Sequence, residues 1–209
     1  MSNELSALGP RFEAALAYAN LVHAGQRRKG TSIPYVAHLL GVASLVLEDG
    51  GDEDETIAAL LHDAVEDGGG RPRLLDIRGR FGERVAAIVE GCSDAETVPK
   101  PPWLARKRHH LARLRHASPE VARVAAADKL HNARAVLADF RRHGPSLFDR
   151  FNGGRDGTLW YYACAVNVLR ERAPGDLVDE LARVVGELRE AVGTGLAWPV
   201  SEEVDPASR

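Results

Sequence analysis

The chain has 209 residues, 44% of them hydrophobic, which suits one domain with a sizeable core. Its formal net charge of −3 argues against a generic nucleic-acid or membrane-surface binder. No apolar stretch is long enough to span a bilayer, and the start Met1-Ser-Asn-Glu4 lacks the basic-then-apolar pattern of a signal peptide. Two cysteines, Cys92 and Cys164, sit in apolar settings without a CxxC word. They read as core filler in a reducing, cytoplasmic protein.

In chain order, residues 11–23 are amphipathic, with Phe12, Leu16 and Ala19 at helical spacing. Gly25 to Ile33 is polar and basic and reads as a loop. Pro34 suits the first turn of a second helix carrying Tyr35, His38, Val42, Leu45 and Val46, which stops near Gly50-Gly51. Asp54 to Val65 is expected to be one helix, ended by a mobile loop at Gly68-Gly-Gly70. Pro72 opens a short helix, Gly82 breaks the chain, and Val85, Ile88, Val89 and Cys92 form another stripe. Pro99-Lys-Pro-Pro102 is a rigid, extended connection. A basic helix follows: between Lys100 and His116 stand Lys100, Arg106, Lys107, Arg108, Arg113, Arg115 and three histidines, with no acid. Ser118-Pro119-Glu120 caps a helix running to about Phe140. Residues 141–157 hold five glycines or prolines and read as irregular. Helices are expected at 159–172 and 176–192. No alternating strand pattern or domain linker is present, so the expected fold is all-α. A single domain over 1–197 is expected, with its core at about 11–172, followed by a polar tail at 198–209.

Chemistry is concentrated at four places. In the segment Val121 to Asn132, Val121, Val124 and Asp128 share one helical face, so a carboxylate points where the packing stripe points. Buried unpaired, it would cost several kcal/mol. His62-Asp63 follows the apolar Ile57-Ala-Ala-Leu60-Leu61, and His38 lies between Tyr35 and Leu39-Leu40. Two imidazoles and two carboxylates in apolar helical settings suggest one divalent cation such as Mn²⁺, Fe²⁺ or Zn²⁺. Glu66 and Asp67 each lie four residues after a member of the His-Asp pair. They place further negative charge at a helix C-terminus, where the dipole disfavours it unless a cation is near. Singly, His38 reads as a core histidine and Asp128 as a buried carboxylate paired with Arg134 or an outside lysine; the combination favours a site. Gln26-Arg27-Arg28-Lys29 is either a solvated loop or a phosphate-binding one. The basic helix leaves the same choice between a solvated face and contact with an anionic ligand. Asn132, one turn on from Asp128, can orient a metal ligand or hydrogen-bond a nucleotide.

These residues resemble a known family. His38, His62-Asp63 and Asp128 look like the H…HD…D signature of the HD-domain metal-dependent phosphohydrolases, which implies an HD-type helical bundle. Narrower words resemble the hydrolase domain of the RelA/SpoT-type guanosine polyphosphate (alarmone) hydrolases. They are His23-Ala-Gly-Gln26-Arg-Arg28-Lys29 with Pro34-Tyr35-Val-Ala-His38, the word His62-Asp63-Ala-Val-Glu66-Asp67, Phe81-Gly82 with Val89-Glu90-Gly91, Trp103-Leu-Ala-Arg106-Lys107-Arg108, and Ala127-Asp128-Lys129-Leu130-His131-Asn132. The resemblance spans roughly residues 11–170 and implies a stand-alone small alarmone hydrolase. It departs from the family at Leu39, Gly30 to Ile33 and Ala135.

The resemblance implies that His38, His62, Asp63 and Asp128 bind one Mn²⁺, with Fe²⁺, Zn²⁺ or Mg²⁺ as alternatives. Glu66 and Asp67 would position or deprotonate the attacking water. Arg28, Lys29, Lys129 and Asn132 would contact the nucleotide. The expected reaction removes the 3′-diphosphate of a guanosine polyphosphate, giving GDP or GTP and pyrophosphate. Alternatives are another nucleotide (an adenosine alarmone, NADPH or a nucleotide monophosphate) or a non-catalytic nucleotide-binding domain. The expected partner is a small-molecule nucleotide, without nucleic acid or membrane; a homo-oligomer is compatible with the chain.

Overall fold

The computed structural model describes residues 8–93 and 101–193. The expected polar tail at 198–209, and Pro99 and Lys100 of the proline-rich connection, lie outside the described residues. Ten α-helices and one 3₁₀ segment account for the described fold: α1 Pro10–Val22, α2 Val36–Glu48, α3 Glu53–Leu61, α4 Ala64–Gly68, α5 Arg71–Phe81, α6 Glu83–Cys92, α7 Trp103–Leu114, α8 Pro119–His143, the 3₁₀ segment Gly144–Arg150, α9 Gly154–Arg172 and α10 Asp176–Val192. The one extended pairing among the described residues is an isolated bridge between Arg27 and Pro34, so the all-α expectation holds.

Helix α8 is the spine. Its 25 residues span about 37 Å at the α-helical rise, and it packs against α2, α3, α6, α9 and α10. Ala122, Ala125, Ala126, Ala127 and Ala133 are buried along it, and such short side chains let neighbouring helices approach closely. At the α6–α8 crossing Gly91 serves the same end: a Cβ there would stand 2.7 Å from Val121 Cγ2. Ser118 accepts the Val121 N–H and Pro119 follows in the first turn, so this helix starts where its sequence says it should. Helix α3 starts on a capping box between Asp52 and Glu55. Glu55 is otherwise buried and is paired by Arg123 of α8, which also donates to Asp49 at the end of α2.

Three expectations need correction. Asp54 to Val65 is not one helix: α3 stops at Leu61 and α4 starts at Ala64. The His62 ring lies 2.7 Å through Nδ1 from the Ala59 carbonyl, an acceptor that a continuing helix would offer to the Asp63 backbone. Asp63 itself takes φ −96° and ψ −5°, which turns the chain. Second, Gly68-Gly-Gly70 is not a loop throughout: Gly68 is the last residue of α4, and Gly69-Gly70 make a tight turn. Gly69 and Gly70 have φ of +122° and +63°, and Gly70 N–H closes onto Val65 O at 2.9 Å. Third, residues 141–157 are mostly ordered into helix. Helix α8 continues to His143 and the 3₁₀ segment follows, because Leu147 and Phe148 are buried and Phe148 packs between Phe140 and Phe151. Apolar anchors there outweigh the glycines and prolines.

Candidate metal centre and cleft

The break between α3 and α4 makes the site. On a continuous helix the side chains of His62 and Asp63 would diverge by about 100°. With the chain turned, His62 Nε2 and Asp63 Oδ2 stand 3.0 Å apart. Helix α2 brings His38, whose Nε2 lies 3.2 Å from Asp128 Oδ1 and 3.7 Å from Asp63 Oδ2. Helix α8 brings Asp128, with Oδ1 at 3.6 Å from His62 Nε2. Ligand atoms of His38, His62 and Asp128 all fall within 4.8 Å of one another, and Asp63 joins them through Oδ2.

The donor set fits a divalent cation. Both histidines are buried, and although carboxylate oxygens stand 3.0 and 3.2 Å away, the Nε2 atom of each makes no well-formed hydrogen bond among the described residues. Such an orphaned buried nitrogen is costly unless something is meant to fill it. The other ring nitrogens are engaged: His62 Nδ1 with Ala59 O at 2.7 Å, and His38 Nδ1 with His131 Nδ1 at 2.9 Å. Burial opposes the charged form of Asp63, yet His62 and His38 beside it hold its carboxyl well below the usual range. Burial likewise opposes ionisation of Asp128, and Lys129, His38 and His62 hold it well below as well. Burial opposes protonation of His62, but Asp63 and Asp128 together pull its imidazole well above the ordinary value. Two ionised carboxylates converging on two imidazoles are a demand for positive charge, which a hard or borderline cation meets.

Supporting contacts hold these side chains in place. Tyr35 donates its hydroxyl to Asp63 Oδ2 at 2.5 Å, and burial followed by the Asp63 charge pushes that phenol far up. Lys129 Nζ lies 2.5 Å from Asp128 Oδ2, and Asn132 Nδ2 donates to Oδ1 at 2.6 Å. Arg28 donates to Asn132 Oδ1 at 2.8 Å, linking the loop before α2 to Asp128 through one amide. Arg134 does not pair with Asp128 among the described residues; it donates to Glu180 of α10 at 3.1 Å.

Above this centre opens a cleft of about 430 Å³, within the range of small-molecule sites. Arg28, Lys29, Arg106, Lys107 and Lys129 stand on its walls, along with Glu66 and Asn132. The basic helix α7 therefore turns one face inward: Trp103, Arg106, Lys107 and His110, at helical spacing, all line the cleft. Glu66 Oε1 lies 3.8 Å from Arg106 Nη1. Asp67 is set apart from its neighbour. It is exposed, does not line the cleft, and accepts from Gln26 Nε2 at 2.8 Å.

Several lining residues had no sequence signal. Tyr161 and Tyr162 of α9 and His110 of α7 belong to amphipathic stripes like any other. Lys107 Nζ sits 4.8 Å from the Tyr161 ring centroid. Cys92, expected as core filler, is half-buried and lines the cleft; burial pushes its thiol up to about 12. Burial, then neighbouring His38 and Arg28, push His131 down to about 4, so it is neutral near pH 7.

Helical bundle, His/Asp cluster and cleft together define the class: the HD domain family matches residues 15–159, and the chain belongs to that family. Among curated proteins it is similar to guanosine-3′,5′-bis(diphosphate) 3′-pyrophosphohydrolase MESH1. Identity with the Mus musculus protein is 40% over 115 residues, covering 54% of this chain and 62% of the relative. With the Homo sapiens protein it is 39% over 120 residues, covering 56% and 64%. The chain thus spans a little over three fifths of these relatives' length. Among solved structures it resembles a metazoan orthologue of SpoT described as hydrolysing ppGpp, with a TM-score of 0.69 at 26% identity over 86% of this chain and 96% of that one. A Listeria monocytogenes protein superposes with a TM-score of 0.63 at 33% identity, covering 71% and 96%. No described helix is long and apolar enough to cross a membrane.

Proposed function

We propose that the chain is a metal-dependent pyrophosphohydrolase that removes the 3′-diphosphate of guanosine polyphosphates, releasing pyrophosphate and GDP or GTP. The observation that carries this reading is the pair of orphaned imidazole nitrogens converging with Asp128, at the floor of a cleft walled by cations. Its likeness to proteins named for that reaction supplies the substrate class.

His38, His62, Asp63 and Asp128 would hold one divalent cation, with Mn²⁺ the expected ion. When bound, the cation supplies Lewis acidity and lowers the pKa of water. The chain's own residues do the rest. Glu66, on the cleft wall, would accept a proton from the attacking water or orient it. Asp67 supports it from the rim by holding Gln26 and with it the Arg28–Lys29 loop. Arg28, Lys29, Arg106 and Lys107 neutralise phosphate oxygens and the charge that builds up during phosphoryl transfer. Asn132 couples Arg28 to Asp128, so the substrate loop and the metal centre share one hydrogen-bonded chain. Lys129 keeps Asp128 ionised and adds positive charge to the cleft.

The test is pyrophosphate release from guanosine 3′-diphosphate nucleotides by purified protein, with Mn²⁺ and with chelator. Metal-dependent release is expected. No release, with one equivalent of metal demonstrably bound, would overturn the substrate assignment and leave another phosphoester in its place.

A further inference from the structure

His38 and His62 face the same problem: each must present a bare Nε2 to the cation site, so each needs its proton on Nδ1. His62 solves it locally, because Ala59 O, 2.7 Å from its Nδ1, can only accept. His38 reaches across to α8, where the atom 2.9 Å from its Nδ1 is Nδ1 of His131, a nitrogen that can either give or take a proton. If His131 gave it, the neutral His38 would carry its proton on Nε2, aimed at Asp128 and Asp63, and could not ligate. If His131 takes it, the Nε2 lone pair of His38 is free. The ring of His131 has been given a seat for this contact. Its centroid lies 4.8 Å from that of His38, and its far edge lies on Gly41, one turn after His38 on α2. A Cβ at Gly41 would stand 2.3 Å from His131 Cδ2 and 2.4 Å from Nε2, so any side chain there displaces the ring.

Resting on the metal-site reading above, we propose that His131 is a positioning residue. It accepts the Nδ1 proton of His38 and thereby fixes the tautomer and ring angle of that ligand, and Gly41 is the residue that admits it. Orienting partners of this kind commonly change metal affinity by about 10–100-fold when removed.

The experiment is calorimetric titration of the full chain with Mn²⁺, alongside thermal unfolding of the metal-free protein. His131→Phe keeps the ring packing and removes the acceptor. Gly41→Ala keeps every polar group and removes the seat, while alanine by itself favours a helix over glycine. His131→Asn restores an acceptor near the same point. The expected result is about 10–100-fold weaker Mn²⁺ binding in His131→Phe and Gly41→Ala. Recovery of most of the affinity is expected in His131→Asn, and metal-free melting of His131→Phe should stay close to that of the unaltered chain. Tight binding by His131→Phe equal to the unaltered chain overturns the proposal alone. So does a loss in His131→Phe that His131→Asn shares in full. An unaltered chain that binds no Mn²⁺ overturns the metal-site reading with it.

Discussion

Glu66 and Asp128 are both carboxylic side chains, but their surroundings differ. Asp128 is buried between two imidazoles, an ammonium and an amide, whereas Glu66 stands on the cleft wall opposite Arg106. Glu66→Gln should therefore retain one equivalent of Mn²⁺ while its turnover falls by about 10²–10⁴, the usual contribution of a general base. Metal content and pyrophosphate release measured on one preparation check this, and unchanged turnover would remove Glu66 from the reaction. Asp128→Ala should lose the metal. It should also destabilise the metal-free fold by about 3–5 kcal/mol, because it leaves the buried Lys129 ammonium without its carboxylate. Urea titration reads that cost directly. His38, His62, Asp63 and Asp128 were legible as candidates only in combination, since each alone reads as an ordinary core residue. Tyr35, His131 and Tyr161 were not legible as site residues, since a phenol or imidazole on an amphipathic helix reads the same whether it faces core or cleft.

At the scale of elements, boundaries follow local chemistry where a cap is present and fail where a side chain competes with the backbone. The capping box at Asp52 and the Ser118-Pro119 start place α3 and α8 directly. Asp52→Ala removes the cap and the 2.5 Å ion pair with Arg84, and should cost about 1 kcal/mol by chemical denaturation with activity retained. The break after Leu61 was not legible. Hydrophobic periodicity runs through it without a fault, and what stops the helix is an imidazole set against the Ala59 carbonyl, packed into that position by α2 and α8. The basic run on α7 shows a related limit. Its charge was plain in the sequence, but a helix has several faces, and only the packing of α7 on α9 decides that Arg106 and Lys107 face the cleft. If that face meets phosphates, kcat/KM for a guanosine polyphosphate should fall steeply with ionic strength, because partly exposed charges are screened over about 10 Å at 0.1 M salt. A kcat/KM independent of salt would return α7 to a solvated role.

Across the whole molecule, α10 closes the bundle against α8. Part of that closure is electrostatic. Glu180 accepts from Arg183 of its own helix and from Arg134 of α8, which hold its carboxyl down at about 2. A carboxyl depressed in the folded state stabilises above its ordinary value of 4.5, and that contribution fades as pH falls from there through about 2. The group is partly exposed and screened by solvent, so the effect is modest. Glu180→Gln should melt slightly below the unaltered chain at pH 6, and the difference should shrink towards pH 2. A constant difference would mean that the contact acts by packing and not by charge.

The sequence alone determined residue types, helical periodicity, the Ser118 cap and the words that carry the family resemblance, because all of these are properties of neighbours along the chain. It also determined that four potential ligands lie on apolar stretches. Only the tertiary structure decided which atoms converge. The turn at His62-Asp63 aims two side chains at one point, His131 finds His38 across 93 positions of sequence through the space left at Gly41, and Glu66 is separated from Asp67 into wall and rim. Those outcomes depend on how helices cross, and crossing geometry is set by the summed packing of side chains far apart in the chain, which no local pattern encodes.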